Sequence, residues 1–191
     1  AFGGLQDFTG TIGATLARGR RVIAGDRPGH GYSARDTRRV MTPDVQAQAL
    51  HGLLQQILPG PVTLVGFSWG GAVAMAYALA YPEDVRAVVI LNGATFPWPT
   101  PLSPVYDWAV MPVIGPLFRH TLLMPMATFV KGDDVHNAFD PEPIPLTFAQ
   151  SPVALSLRPG SFAANAEDLL CLKAFLLEQS QRYGTLSMPL V

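Results

Sequence analysis

A single serine stands among glycines in Gly66-Phe67-Ser68-Trp69-Gly70, where the apolar run 62–67 gives way to the small-residue stretch 71–80. The spacing is G-x-S-x-G, and its chemistry depends on where it sits. A serine on a sharp turn between a strand and a helix has its hydroxyl thrust away from the backbone, free to attack a carbonyl. Side chains two residues before and two after would collide at such a bend, so both glycines are expected to be obligatory. A helix opening just after Ser68 directs its positive end at that oxygen and favours the anion of acyl transfer. The N–H of Trp69 is then placed as one oxyanion donor. The string alone also fits a plain glycine turn that packs a helix on a sheet. The buried strand before it and the helix after it favour the nucleophile.

Such a serine needs a base, and the chain has four histidines. His30 lies in a Pro-Gly loop and reads as structural or as a substrate contact. His51 falls on a helix as a solvated or capping residue, and His120 stands beside Arg119. His136 lies in KGDDVHNAFD (131–140) with Asp133, Asp134 and Asp140. That cluster has the look of an acid/base segment or a metal site. Neighbouring carboxylates on a polar loop are usually a solvated face, and a metal needs ligands converging from several elements. No metal and no cofactor are assigned. Asn92, at the end of the strand 85–92, has no carboxylate to offer.

The elements around Ser68 form a pattern. Residues 5–18 read as a helix and 20–26 as a short strand, followed by a turn-rich loop, 27–33. A helix begins near Thr42-Pro43-Asp44, with Thr42 as N-cap, Pro43 in the first turn and Asp44 favouring the dipole. Its expected buried face is Val45, Ala49, Leu53, Leu54, Ile57 and Leu58, and Pro59-Gly60-Pro61 stops it. The continuous apolar run 62–67 reads as a strand covered on both faces in a parallel sheet. The helix after Ser68 and a strand over 85–92 complete a βαβ unit, which argues for an α/β layer architecture. Residues 96–160 hold 12 of the 18 prolines. Short helical pieces broken by Pro112, Pro116 and Pro125 read there as a lid-like insertion. An amphipathic helix follows over 161–184, and 186–191 reads as the start of a strand.

Composition sets outer bounds. The chain has 191 residues, a formal net charge of −1, 14% charged and 49% hydrophobic residues. That fits one domain with an inserted subdomain. Beyond Arg18-Gly19-Arg20-Arg21 there is no basic cluster, which disfavours nucleic acid. The lone Cys171 reads as a small core residue, and no apolar run approaches the roughly 20 residues a bilayer requires. Because the sequence opens on Ala1, the lack of a signal peptide says little about targeting. The compartment stays open, with the cytoplasm favoured.

Three stretches carry a family likeness: VIAGDRPGHGYS (22–33), VTLVGFSWGG (62–71) and residues 161–191. Together they resemble the α/β-hydrolase superfamily, in particular bacterial serine hydrolases with an inserted cap. The resemblance implies a mostly parallel sheet flanked by helices. It divides the chain into core (1–95), helical cap (96–160) and a return to core (161–191). It makes Ser68 the nucleophile, where the similar epoxide hydrolases and haloalkane dehalogenases carry Asp. It places the second oxyanion N–H on Ala1, or on Phe2 one residue later, and makes Asp26 and Ser33 structural ties of the 27–33 loop. The family's acid and histidine follow strands beyond the point where this sequence stops. The 191-residue chain is therefore expected to show little esterase activity by itself. The expected partner is a small hydrophobic ester-like substrate beneath a roof that includes Trp98 and Trp108, with Phe2 and His30 as further contacts. C–C bond hydrolysis and cofactor-free perhydrolysis are alternatives on the same fold, and a non-catalytic binding protein is the alternative from another class.

Overall fold

The computed structural model describes residues 5–58, 60–123, 140–144, 155 and 158–191. In chain order the elements are α1 (Leu5–Phe8), a π-helical turn (Thr9–Gly13), α2 (Ala14–Leu16), α3 (Pro43–Ile57), β1 (Val62–Phe67), α4 (Trp69–Ala80), β2 (Val85–Leu91), α5 (Val105–Val110), α6 (Ile114–Phe118), a second π-helical turn (Arg119–Leu123) and α7 (Pro159–Gln179). They form two compact units. One comprises 36–102 and 167–191, the other the residues up to 35 together with 103–166.

In the first unit, β1 and β2 pair in parallel from Val62↔Val85 to Phe67↔Leu91, with one irregularity after Val62. Such a pair needs a crossover, and α4 supplies it. A third segment joins the other side of β2. Val88 N–H donates to Pro189 O at 2.9 Å, Ile90 N–H to Val191 O at 2.7 Å, and Val191 N–H to Val88 O at 3.0 Å. The strand expected to begin near 186 is thus paired over its last residues.

The core lies between this sheet and the helices. From α4 it takes Trp69 and the small residues Ala72, Ala74, Ala76 and Ala78, which let the helix sit close to the strands; α7 adds Leu172 and Leu176. Complete burial of a leucine of this kind stabilises by about 1.5–3 kcal/mol. Coverage of β1 differs from expectation. Leu64 and Gly66 are buried, whereas Val65 and Phe67 are 46% and 65% exposed. Alternate residues of a strand point to opposite faces, and among the described residues only one face of β1 is covered.

Helix α3 starts at Pro43 with Thr42 at the N-cap position, but the Thr42 side chain makes no capping hydrogen bond. It ends where the residue before Pro59 leaves the helical region, Leu58 having φ −155°, as sterics against a following proline require. Its buried residues are Pro43, Gln46, Ala47 and Leu54. This corrects the expected face, of which only Leu54 is buried, while Leu53 and Ile57 are about half exposed. The stripe that packs on the core runs 47, 50, 54, a helical repeat displaced from the one the larger aliphatic residues mark. His51 also departs from expectation. Its Nε2 is 2.9 Å from Asp84 Oδ2, and its ring stacks on Tyr81 at 3.7 Å. It joins α3 to the C-terminal end of α4 and is only partly exposed, 23% at the side chain.

In the second unit, 20–26 forms no strand, and Ile23 is 40% exposed. A strand exists only against a hydrogen-bonding neighbour, and the described residues give this segment none. Asp26 anchors the loop that follows. Its Oδ1 accepts the Leu5 N–H at 2.8 Å, its Oδ2 the Tyr32 N–H at 3.2 Å, and its carbonyl the Ser33 hydroxyl at 2.7 Å. At Gly31 (φ 53°) a Cβ would meet the Asp26 carboxylate, so the loop closes only around glycine. Further along, Pro112 separates α5 from α6, but Pro116 lies inside α6. It sits in the first turn, where a missing N–H costs nothing. Pro125 lies outside the described residues. A small core gathers Ala109, Leu123, Phe162 and Ala166 with Tyr106 and Phe118, and burial raises the Tyr106 phenol above its usual pKa. No described helix is long and apolar enough to cross a membrane.

Candidate active site

The site is built where β1 hands over to α4. Ser68 is the junction residue, at φ 51° and ψ −123°. For a residue with a Cβ this is a strained backbone that persists only where the surroundings impose it. Main-chain bonds impose it from both sides. Ser68 N–H donates to Leu91 O at 3.2 Å, and Ser68 O accepts from Gly71 N–H at 3.0 Å and Ala94 N–H at 2.8 Å. The β2 end is bent to match, with Asn92 at φ 46°.

Glycine is required at this bend for a more particular reason than the motif implies. A Cβ at Gly66 would stand 2.7 Å from Gly70 O and 2.8 Å from Gly71 Cα, so β1 and α4 meet backbone to backbone there. A Cβ at Gly70 would meet nothing within 4 Å, which corrects the expectation that both motif glycines are obligatory. The second crowded position is Gly71, whose Cβ would lie 2.8 Å from Gly93 Cα. Gly71 was legible only as one more small residue, because the strand end it touches comes from 22 residues further along the chain.

The Ser68 side chain occupies an N-cap position yet makes no capping hydrogen bond, and among the described residues its hydroxyl has no partner. Serine at an N-cap ordinarily spends its oxygen on the helix. This one is half-buried, uncommitted, and set at the positive end of a helix twelve residues long. Trp69 follows as the first residue of α4, 1% exposed, and its indole Nε1–H donates to the Asp168 carbonyl at 3.2 Å. The first N–H groups of a helix lie outside its own hydrogen-bond ladder, the property an oxyanion donor needs.

The other expected residues are placed as follows. Ala1, Phe2 and His136, with Asp133 and Asp134, lie outside the described residues. His30 is buried at 6% in the second unit, its main-chain N–H donating to Arg27 O at 2.9 Å. Trp98 packs against the core of the first unit. Trp108 is 52% exposed and meets Phe118 edge-on at 6.2 Å in the second unit. His120 is exposed. Cys171 is partly buried on α7, its Sγ–H donating to Asp168 O at 3.2 Å. No group of metal-ligating side chains occurs among the described residues. The sequence reading missed Asp168 and Gln46, both buried, which hydrogen-bond to each other at 3.3 Å. Each sits as a polar residue on a helix, and nothing in the pattern said that it points inward.

A family model of the α/β hydrolase fold matches residues 1–116. The chain belongs to the α/β-hydrolase fold family. Among curated proteins it is 38% identical over 95 residues to the 2-hydroxymuconate semialdehyde hydrolase of a Pseudomonas species, a match covering 49% of this chain and 34% of that protein. It is 44% identical over 73 residues to the lipase LipV of Mycobacterium tuberculosis, covering 38% and 27%. The matched stretch thus spans about a third of these relatives' length. Among solved structures, a haloalkane dehalogenase of Agrobacterium tumefaciens superposes with a TM-score of 0.69 at 20% identity, over 98% of this chain and 67% of that one. An esterase of Exiguobacterium antarcticum superposes with a TM-score of 0.63 at 20% identity, over 89% and 62%. At that identity these two speak for the fold, which is the α/β architecture expected from the strand–helix alternation.

Proposed function

We propose that this α/β-hydrolase chain carries the nucleophile of a serine hydrolase, with Ser68 forming an acyl-enzyme. One observation carries the reading: a serine held at φ 51° by three main-chain hydrogen bonds, at the start of a helix, with its hydroxyl capping nothing. The strain costs about 1–3 kcal/mol, and a mere packing turn gains nothing from a serine there. In the proposed reaction Ser68 Oγ attacks a carbonyl while a base takes its proton. The resulting oxyanion is held by the Trp69 N–H and the α4 dipole, with Ala1 or Phe2 as second donor, and water then releases the acyl group. The base is a histidine oriented by a carboxylate. His51 is unsuited by position: its ring stacks on Tyr81 at the C-terminal end of α4, a twelve-residue helix whose opposite end carries Ser68.

The substrate class proposed first is a small hydrophobic carboxylic ester. A second reading is favoured by the relatives. 2-Hydroxymuconate semialdehyde has no ester bond, so a hydrolase of it must cleave carbon–carbon, and the same acyl-enzyme chemistry serves. Fluorophosphonate labelling of the full-length protein tests the nucleophile: labelling lost in Ser68→Ala supports the enzyme, and no labelling of the wild type favours a binding protein. Turnover of p-nitrophenyl butyrate against a 2-hydroxy-6-oxo-dienoate separates the two substrate classes.

A further inference from the structure

This inference rests on the reading of Ser68 as nucleophile and asks what aims its neighbour. Asp168 is completely buried, and a carboxyl is retained in an apolar core only where hydrogen bonds replace water. Its Oδ1 accepts from Gln46 Nε2 at 3.3 Å, and the same amide donates to Met41 O at 2.8 Å. The Asp168 main-chain carbonyl accepts the Trp69 indole N–H. Neither Gln46 nor Asp168 has a part in the proposed chemistry, and apolar residues of similar volume often fill such a place at no loss of stability. What the polar pair does is lock α7 to α3 at the level of Trp69.

A second grip lies further along α7. Gln179 Nε2 donates to Ala72 O at 3.2 Å and to Tyr183 Oη at 2.9 Å, while the Tyr183 hydroxyl donates to Thr95 O at 2.7 Å. Thr95 follows Ala94, whose N–H holds the Ser68 carbonyl. The first turn of α4 is therefore held from α7 at two points, through the Trp69 side chain and through the Ala72 carbonyl.

We propose that Gln46 and Asp168 are positioning residues: by seating the Trp69 indole they fix the direction of the Trp69 main-chain N–H, and with it the stabilisation of the acyl-transfer transition state. The indole and that N–H share one Cα, so a side chain that cannot turn holds the peptide plane beside it. Trp69→Phe keeps an aromatic ring, smaller than the indole, and deletes the donor. In the full-length protein assayed on a p-nitrophenyl ester, the expected result is a fall in kcat of about tenfold with KM within about twofold, since small misplacements at a reacting centre act on the transition state. Gln46→Leu, which leaves Trp69 itself intact, should lower kcat in the same sense by about threefold. Leu176→Ala, in the same core but about two helical turns along α7 from Asp168, is the control, and should lower Tm while leaving kcat unchanged. If Trp69→Phe and Gln46→Leu lower Tm as Leu176→Ala does but keep wild-type kcat, the pair is merely structural and the proposal is overturned. Should Trp69→Phe not fold, the kcat of Gln46→Leu decides by the same criterion. If Ser68→Ala retains turnover, both the nucleophile reading and the positioning role fall; if Ser68→Ala is inactive and only the positioning variants are silent, the nucleophile stands alone.

Discussion

Two serines of this chain sit in glycine-rich turns of similar composition, and the structure treats them in opposite ways. Ser33 lies three residues after His30 in the 27–33 loop, and its hydroxyl donates to the Asp26 carbonyl. Ser68 lies in a turn whose hydrogen bonds are all main-chain, and its hydroxyl is bound to no described residue. In the first loop a side chain holds the backbone; in the second the backbone holds a side chain out. The reactivity proposed for Ser68 follows from that inversion, because an oxygen consumed by its own turn cannot attack a substrate.

The largest expected effect separates the two serines directly. In the full-length protein Ser68→Ala should abolish turnover, by on the order of a million-fold, whereas Ser33→Ala should leave kcat intact; steady-state kinetics on one ester reads both. Next come the glycines. Gly66→Ala and Gly71→Ala each drive a Cβ into backbone and should destabilise by about 2 kcal/mol or more, while Gly70→Ala, into open space within a helix, should be neutral or stabilise by up to about 1 kcal/mol. Urea denaturation of the three variants checks this, and a loss at Gly70 equal to that at Gly66 would sink the contrast. Asp26→Asn turns one acceptor of the 27–33 loop into a donor facing an N–H. It should cost about 1–3 kcal/mol with little change at Ser68, measurable as a lowered Tm beside normal fluorophosphonate labelling.

The smallest effect concerns the tie behind α4. Burial raises the Tyr183 phenol above 10.0, the Gln179 hydrogen bond opposing in part. Below pH 10.0 the phenol is protonated in folded and unfolded chains alike. Above it the unfolded chain loses the proton first, so stability should fall as pH rises through 10.0 towards the raised value. Tyr183→Phe should flatten that alkaline limb in a Tm-against-pH series.

Much of the turn around Ser68 was legible in order along the chain. Strand, serine and helix are contiguous, and contiguous residues report their local geometry through periodicity and through Gly and Pro. Thus β1, α4, β2 and α7 fall close to where the apolar pattern puts them, and the Asp26 and Ser33 ties are those the family resemblance implied. What failed depended on partners distant in sequence. The strand expected at 20–26 needs a neighbour, the buried face of α3 is chosen by what it packs on, and the tight glycine is 71 because Gly93 arrives beside it.

The amino-acid order by itself determined that a serine would stand at a strand-to-helix turn within an α/β layer fold, because propensity, apolar period and glycine placement act over a few residues. Only the tertiary structure decided that Gly70 is spare and Gly71 is not, that one face of β1 is covered, and that Asp168 and Gln46 meet behind Trp69. Those outcomes are set by close approach between segments far apart in the chain, where van der Waals radii and unmet hydrogen bonds select among arrangements that local pattern leaves equal.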